Sequence, residues 1–130
     1  MLEAFPLYLA YMFSSVAMLA ATVAIYAWIT PYDELRLIRA GNTAAALSLG
    51  GTTIGLALPL WSVATYSYGL LDLVIWGGVA LAFQVAAFYA ATLLLKGFRE
   101  GIEADRVGYG ALLGAVSIAV GLVNAGSLAY

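Results

Sequence analysis

The stretch Asn42–Thr65, NTAAALSLGGTTIGLALPLWSVAT, decides the fold class. It runs for 24 residues without a charged side chain. At about 1.5 Å per residue, a helix of that length crosses a hydrocarbon core of about 30 Å with modest tilt. Three further stretches flank it, Leu7–Ile29, Leu73–Leu95 and Val107–Leu128, each of 22 or 23 residues. None of the chain's five basic and seven acidic side chains falls within any of them. The reading is an all-α, polytopic membrane protein with four transmembrane helices.

Composition excludes the other classes. The 130 residues are 65% hydrophobic and only 9% charged, too little polarity to cover a soluble bundle. A β-barrel would alternate apolar and polar residues, and these runs do not. The first span lacks the basic n-region of a signal peptide, since only Glu3 precedes it, so it reads as a retained helix. There is no cysteine and no histidine. Disulfides, zinc or haem sites and histidine acid/base chemistry therefore have no ligands or catalysts to build on, and neither a metal nor a cofactor is expected. Residues 1–130 read as a single membrane domain with no room for a separate soluble one.

The charges orient the scaffold. Thr30–Gly41 carries Asp33, Glu34, Arg36 and Arg39, and Lys96–Arg106 carries Lys96, Arg99, Glu100, Glu103, Asp105 and Arg106. These two connections hold every basic residue, while the middle connection, Tyr66–Asp72, holds only an acid. The positive-inside rule places both basic connections in the cytoplasm and both termini outside. Tyr32–Ile38, entered through Pro31, and Phe98–Ile102 read as interfacial helical turns or as solvated connectors. Two arginines are too few to argue nucleic-acid binding.

The halves match at an offset of 64 residues: Ile38 meets Ile102, Ala40 meets Ala104, Leu49 meets Leu113, Gly50 meets Gly114 and Ile54 meets Ile118. Each half is a long helix, a charged connection and a glycine-rich helix, which suggests a duplicated two-helix unit, about 7–65 and 73–128. Two crossings per unit make the repeats parallel rather than inverted. Small residues supply the expected contact between the second and fourth spans: Ala46, Gly50, Gly51 and Gly55 on one side, Gly110, Gly114 and Gly121 on the other. Such residues let helix backbones approach where lipid offers no hydrophobic drive.

A few polar residues interrupt the spans. Ser48, Thr52, Gly55, Pro59 and Ser62 share one side of the second helix. Asn42 reads as its amino-terminal cap. Pro59 frees a carbonyl near Gly55, which a neighbouring helix must satisfy. Trp28, Trp61 and Tyr66 suit membrane interfaces. Asp72 reads as the cap of the third helix. Gln84, at mid-span, must face another helix or a hydrated cavity, because lipid cannot satisfy an amide. Asn124 has Ser62, Ser127 or lipid headgroups as candidate partners. Asn42, Ser48, Thr52, Pro59, Ser62, Gln84 and Asn124 thus form either inter-helix contacts or a candidate polar path. No nucleophile stands beside a base, so no catalytic residue is assigned.

The order IRAGNTAAALSLGGTTIGLALP at Ile38–Pro59, followed by Ser62, Ser67, Asp72, Trp76 and Gln84, resembles DUF350, a family of small bacterial inner-membrane proteins. The resemblance covers essentially the whole chain and implies a four-helix protein built from a repeated two-helix unit. It implies no reaction or substrate. Asp105-Arg106 stands where a second Gly-Asn pair would complete the symmetry. The leading expectation is a non-enzymatic inner-membrane component that works as a homo-oligomer or with another membrane or cytoplasmic protein, in contact with membrane lipids. The alternative is a small oligomeric channel or transport component.

Overall fold

The computed structural model describes residues 2–128, so residues 1, 129 and 130 of the expected domain lie outside it. A short 3-10 turn, Leu2–Ala4, leads into α1 (Phe5–Ile29). There follow α2 (Glu34–Arg39), α3 (Thr43–Tyr66), α4 (Leu70–Thr92), α5 (Phe98–Glu103) and α6 (Val107–Ser127). The fold is 85% helical, with no strand among the described residues. α1, α3, α4 and α6 are the four helices long and apolar enough to cross a membrane.

α3 and α6 form the centre, and they run parallel. Ala44 lies against Gly110, Gly51 against Gly114, Gly55 against Ser117 and Gly121, and Ser62 against Ala125, in ascending order along both helices. α4 packs on both members of the pair, while α1 sits outside, touching α3 and α4. Tyr26 is the one buried side chain of α1.

The spans differ from expectation mainly around α4, which starts at Leu70 and ends at Thr92 instead of running from Leu73 to Leu95. Gly69 caps its start, and the Asp72 Oδ2 accepts from the Tyr68 backbone N–H at 3.0 Å. Asp72 is therefore not the cap residue. It stands in the first turn, where it ties back the preceding turn and its charge favours the helix dipole. At the far end, Leu93–Leu95 tighten into turns before Gly97 adopts φ 65°, a left-handed conformation that glycine takes at little cost.

Both basic connections are ordered as short helices. α5 and α6 begin 64 positions after α2 and α3, the offset at which the halves match in sequence. The turns also agree: Ala40 and Ala104 have φ, ψ of −82°, 2° and −81°, 6°, and Asn42 and Arg106 have −76°, 107° and −75°, 94°. Between them Gly41 takes φ 92° and Asp105 takes φ 57°. Aspartate is among the few side chains that tolerate this region, so it can stand where the first turn has glycine.

Candidate functional site

Four groups of residues carry the chemistry, and α3 contributes to each. The first is the seam with α6. A Cβ built on Gly51 would strike the Gly114 backbone, one on Gly55 the Ser117 carbonyl, and one on Gly110 the Ala44 carbonyl. These helices touch backbone to backbone, which only glycine allows. Gly121 lies over the Gly55 carbonyl, the group that Pro59 deprives of its usual donor. The expected contact residues Ala46 and Gly50 are elsewhere. Both face outward, and nothing lies within 4 Å of a Cβ built on Gly50. Adjacent residues on a helix point about 100° apart, so Gly50 and Gly51 cannot serve the same partner. α6 takes Gly51.

The second group sits deep in the bundle. Ser48, Thr52, Gly55, Pro59 and Ser62 are all buried, as their common side requires. The Gln84 Nε2 donates to the Ser117 carbonyl at 2.7 Å. The Asn124 Nδ2 donates to the Ala80 carbonyl at 3.0 Å and approaches the Gln84 Oε1 at 3.4 Å, so its partners are on α4 and not Ser62 or Ser127. The Ser62 Oγ donates to the Ala125 carbonyl at 2.7 Å, and the Thr52 and Ser117 hydroxyls meet at 3.4 Å. Within one chain Thr52, Ser62, Gln84 and Asn124 are thus satisfied by one another or by backbone across α3, α4 and α6, and Ser48 is not among them.

At the charged end the two halves are laced together asymmetrically. The Asn42 Oδ1 caps α3 by accepting from the Ala45 N–H at 2.8 Å, while its Nδ2 donates to the Ile102 carbonyl at 2.7 Å. The Asp105 Oδ1 accepts from the Ala44 N–H at 2.8 Å. Both contacts serve the start of α3. Arg106, at the equivalent cap of α6, makes no side-chain cap. The departure from a second Gly-Asn pair thus converts a local cap into a bridge between the halves.

The fourth group, Ser48 apart, lies outside the expected site residues. Tyr26, Tyr32, Glu34 and Ser48 are all buried at the charged end, with Glu34 only 3% exposed. Their hydroxyls and both Glu34 oxygens make no well-formed hydrogen bond. The four side chains nonetheless lie close enough to influence one another's ionisation: Tyr26 faces Glu34 and Ser48, and Tyr32 faces Ser48 and Tyr26. Burial pushes the Glu34 carboxyl up to about 7 from its ordinary 4.5, opposed by the Tyr26 hydroxyl. Burial, followed by the Glu34 charge, also raises the Tyr32 phenol.

Local structure explains the inward turn of Glu34. Pro31 breaks the chain out of α1, and the Asp33 Oδ1 accepts from the Arg36 N–H at 3.2 Å to start α2. That start sets the rotation of the helix: Glu34, Leu37 and Ile38 face inward, while Leu35, Arg36 and Arg39 face out. The spacing is a weak sign of this, since Glu34 sits three and four residues before Leu37 and Ile38, but apolar Leu35 lies on the outer face. An apolar groove of about 830 Å³ between α1 and α3 runs from Val16 down to Tyr32 and Glu34.

Comparison with known proteins agrees with this architecture. The chain is 36% identical over 121 residues to the UPF0719 inner membrane protein YjfL of Escherichia coli strain K12, covering 93% of this chain and 92% of that protein. The O157:H7 protein of the same name matches to the same extent. No solved structure gives a significant match. The model of the Domain of Unknown Function DUF350 matches residues 1–128, and the chain belongs to that family.

Proposed function

We propose that this chain is a non-enzymatic component of the bacterial inner membrane that works by assembling with copies of itself. The observation that carries this reading is the unused small face of α3. Gly51 and Gly55 are consumed by α6, yet Ala46 and Gly50 point out of the bundle with nothing against Gly50. One helix therefore presents small residues on two faces. In lipid, where backbone packing drives association, the outer face suits a second helix from outside the chain.

The inner-membrane assignment draws on the name of the Escherichia coli relative together with the four apolar helices. The distribution of Lys and Arg supports cytoplasmic placement of the α2 and α5 end, with both termini outside. The common offset and matching turns of α2–α3 and α5–α6 support two parallel two-helix repeats. Assembly is favoured over conduction because Thr52, Ser62, Gln84 and Asn124 are engaged with one another or with backbone inside the chain.

The test is native mass measurement and crosslinking in lipid nanodiscs. The wild type is expected above monomer mass, and Gly50→Leu is expected to return it to monomer while leaving the fold intact. A wild type that is strictly monomeric, or a Gly50→Leu variant with unchanged assembly, overturns the reading.

A further inference from the structure

The four polar groups at the charged end lack what a buried carboxylate requires. A charge removed from water is normally paired, bound to a metal or neutralised by a proton. Glu34 has no basic partner: the ion pair among the described residues is Arg99–Glu103, and Arg36 and Arg39, on the same short helix as Glu34, are exposed. The groups that face it are Tyr26 from α1 and Tyr32 from the connection, with Ser48 of α3 beside both tyrosines, all uncharged hydroxyls. Phe88 of α4 stacks edge-on against Tyr26 at 4.6 Å and closes that side with an apolar ring.

Five buried oxygen atoms are thus gathered close to one another with no well-formed hydrogen bond: two from Glu34 and one each from Tyr26, Tyr32 and Ser48. Oxygen-only donors suit hard cations. The chain has no cysteine or histidine to favour a softer metal. Charge sets the valence. One carboxylate neutralises one monovalent ion, whereas a divalent ion would leave net positive charge in a low-dielectric site. Tyr32 and Glu34 line the neighbouring groove but their oxygens are themselves buried, which excludes a bulky ammonium headgroup and leaves a small ion.

We propose that Tyr26, Tyr32, Glu34 and Ser48 form a binding site for a single monovalent alkali cation. The site is distinct from the outer face of α3 and does not depend on assembly. Bound cation neutralises the Glu34 carboxylate and draws α1, α2 and α3 together at one point. A proton competes for the same carboxylate, so cation binding weakens as pH falls.

The test uses the full chain in nanodiscs. Thermal unfolding at pH 8 is followed in sodium, potassium or N-methylglucamine chloride at equal ionic strength, beside equilibrium binding of radioactive sodium. The expected result is a saturable rise in Tm of several degrees with sodium or potassium and none with N-methylglucamine, with one sodium bound per chain where sodium is the effective ion. Glu34→Gln removes a buried unpaired charge, so it should remain folded while losing the cation response completely. Tyr32→Phe should raise the half-saturating concentration several-fold. Equal stability in all three salts, a response retained by Glu34→Gln, or stability that follows pH alone overturns the proposal.

Discussion

Ser48 and Thr52 stand one turn apart on the same buried face of α3, yet they belong to polar regions of opposite character. Thr52 meets Ser117 beside a network in which Gln84, Asn124 and Ser62 all find acceptors on other helices. Ser48 joins Tyr26, Tyr32 and Glu34, where no polar atom finds one. The first region behaves as glue and leaves little to react. The second stores an unmet electrostatic demand beside the membrane boundary. The difference lies in the acceptors. Deep in the bundle, glycines bring carbonyls of α6 within reach of side chains. At the charged end, aromatic rings and short helices cover the polar groups without offering them partners.

The largest expected effect comes from destroying the satisfied region. Gly55→Leu would drive a side chain into the Ser117 backbone carbonyl, which cannot retreat without separating α3 from α6, and would push aside the Gln84 amide of α4. Folded protein should be lost, seen as aggregation or degradation in size-exclusion profiles of detergent extracts. Gly50→Leu, five residues earlier on the outer face, is the control that should retain fold.

The unsatisfied region is broken by pH. A carboxyl whose folded value is raised from 4.5 to about 7 stabilises the fold fully below 4.5, and that stability is lost as pH rises through about 7. In N-methylglucamine buffer the wild-type Tm should therefore fall across that window and level off above it. Glu34→Gln should flatten the profile and sit above the wild type at pH 8. A profile identical in both proteins would place the titrating group elsewhere.

Smaller effects sharpen the contrast. Gln84→Leu keeps volume but removes a buried interhelical bond, and should cost about 1 kcal/mol, measured by reversible unfolding in mixed micelles. Ser62→Ala removes one neutral bond to the Ala125 carbonyl and should cost about 0.5 kcal/mol. By contrast, Ser48→Ala removes a hydroxyl that has no partner, so it should leave stability near wild type in N-methylglucamine buffer.

The satisfied region was largely legible in sequence, and the unsatisfied one was not. Four spans follow from hydropathy alone, because a helix in lipid needs only length and apolarity. Gln84 announced itself as an amide at mid-span, and the Ser48–Ser62 side followed from helical period. The choice between Gly50 and Gly51 did not, since it depends on where α6 lies and not on anything within α3. Tyr26 read as an ordinary member of an apolar span, and Glu34 as one of several charges in a polar connection. What buries them is the angle at which α2 folds back from Pro31, set by the Asp33 cap and by packing on α3. The Asn42–Ile102 bond was likewise out of reach, because a cap explains only the half of Asn42 that looks back into its own helix.

The parallel pairing of α3 with α6 has a consequence for how the chain is made. Gln84, Ser62 and Asn42 donate to Ser117, Ala125 and Ile102, all of them synthesised after their donors. While α6 is still in the ribosome, the first four helices stand with an open glycine seam and amide and hydroxyl groups facing lipid, where nothing can satisfy them. α6 is therefore the helix that closes the bundle. A chain cut short before α6 leaves that seam and those polar groups open to lipid, so the tightness of the bundle depends on α6 having been made.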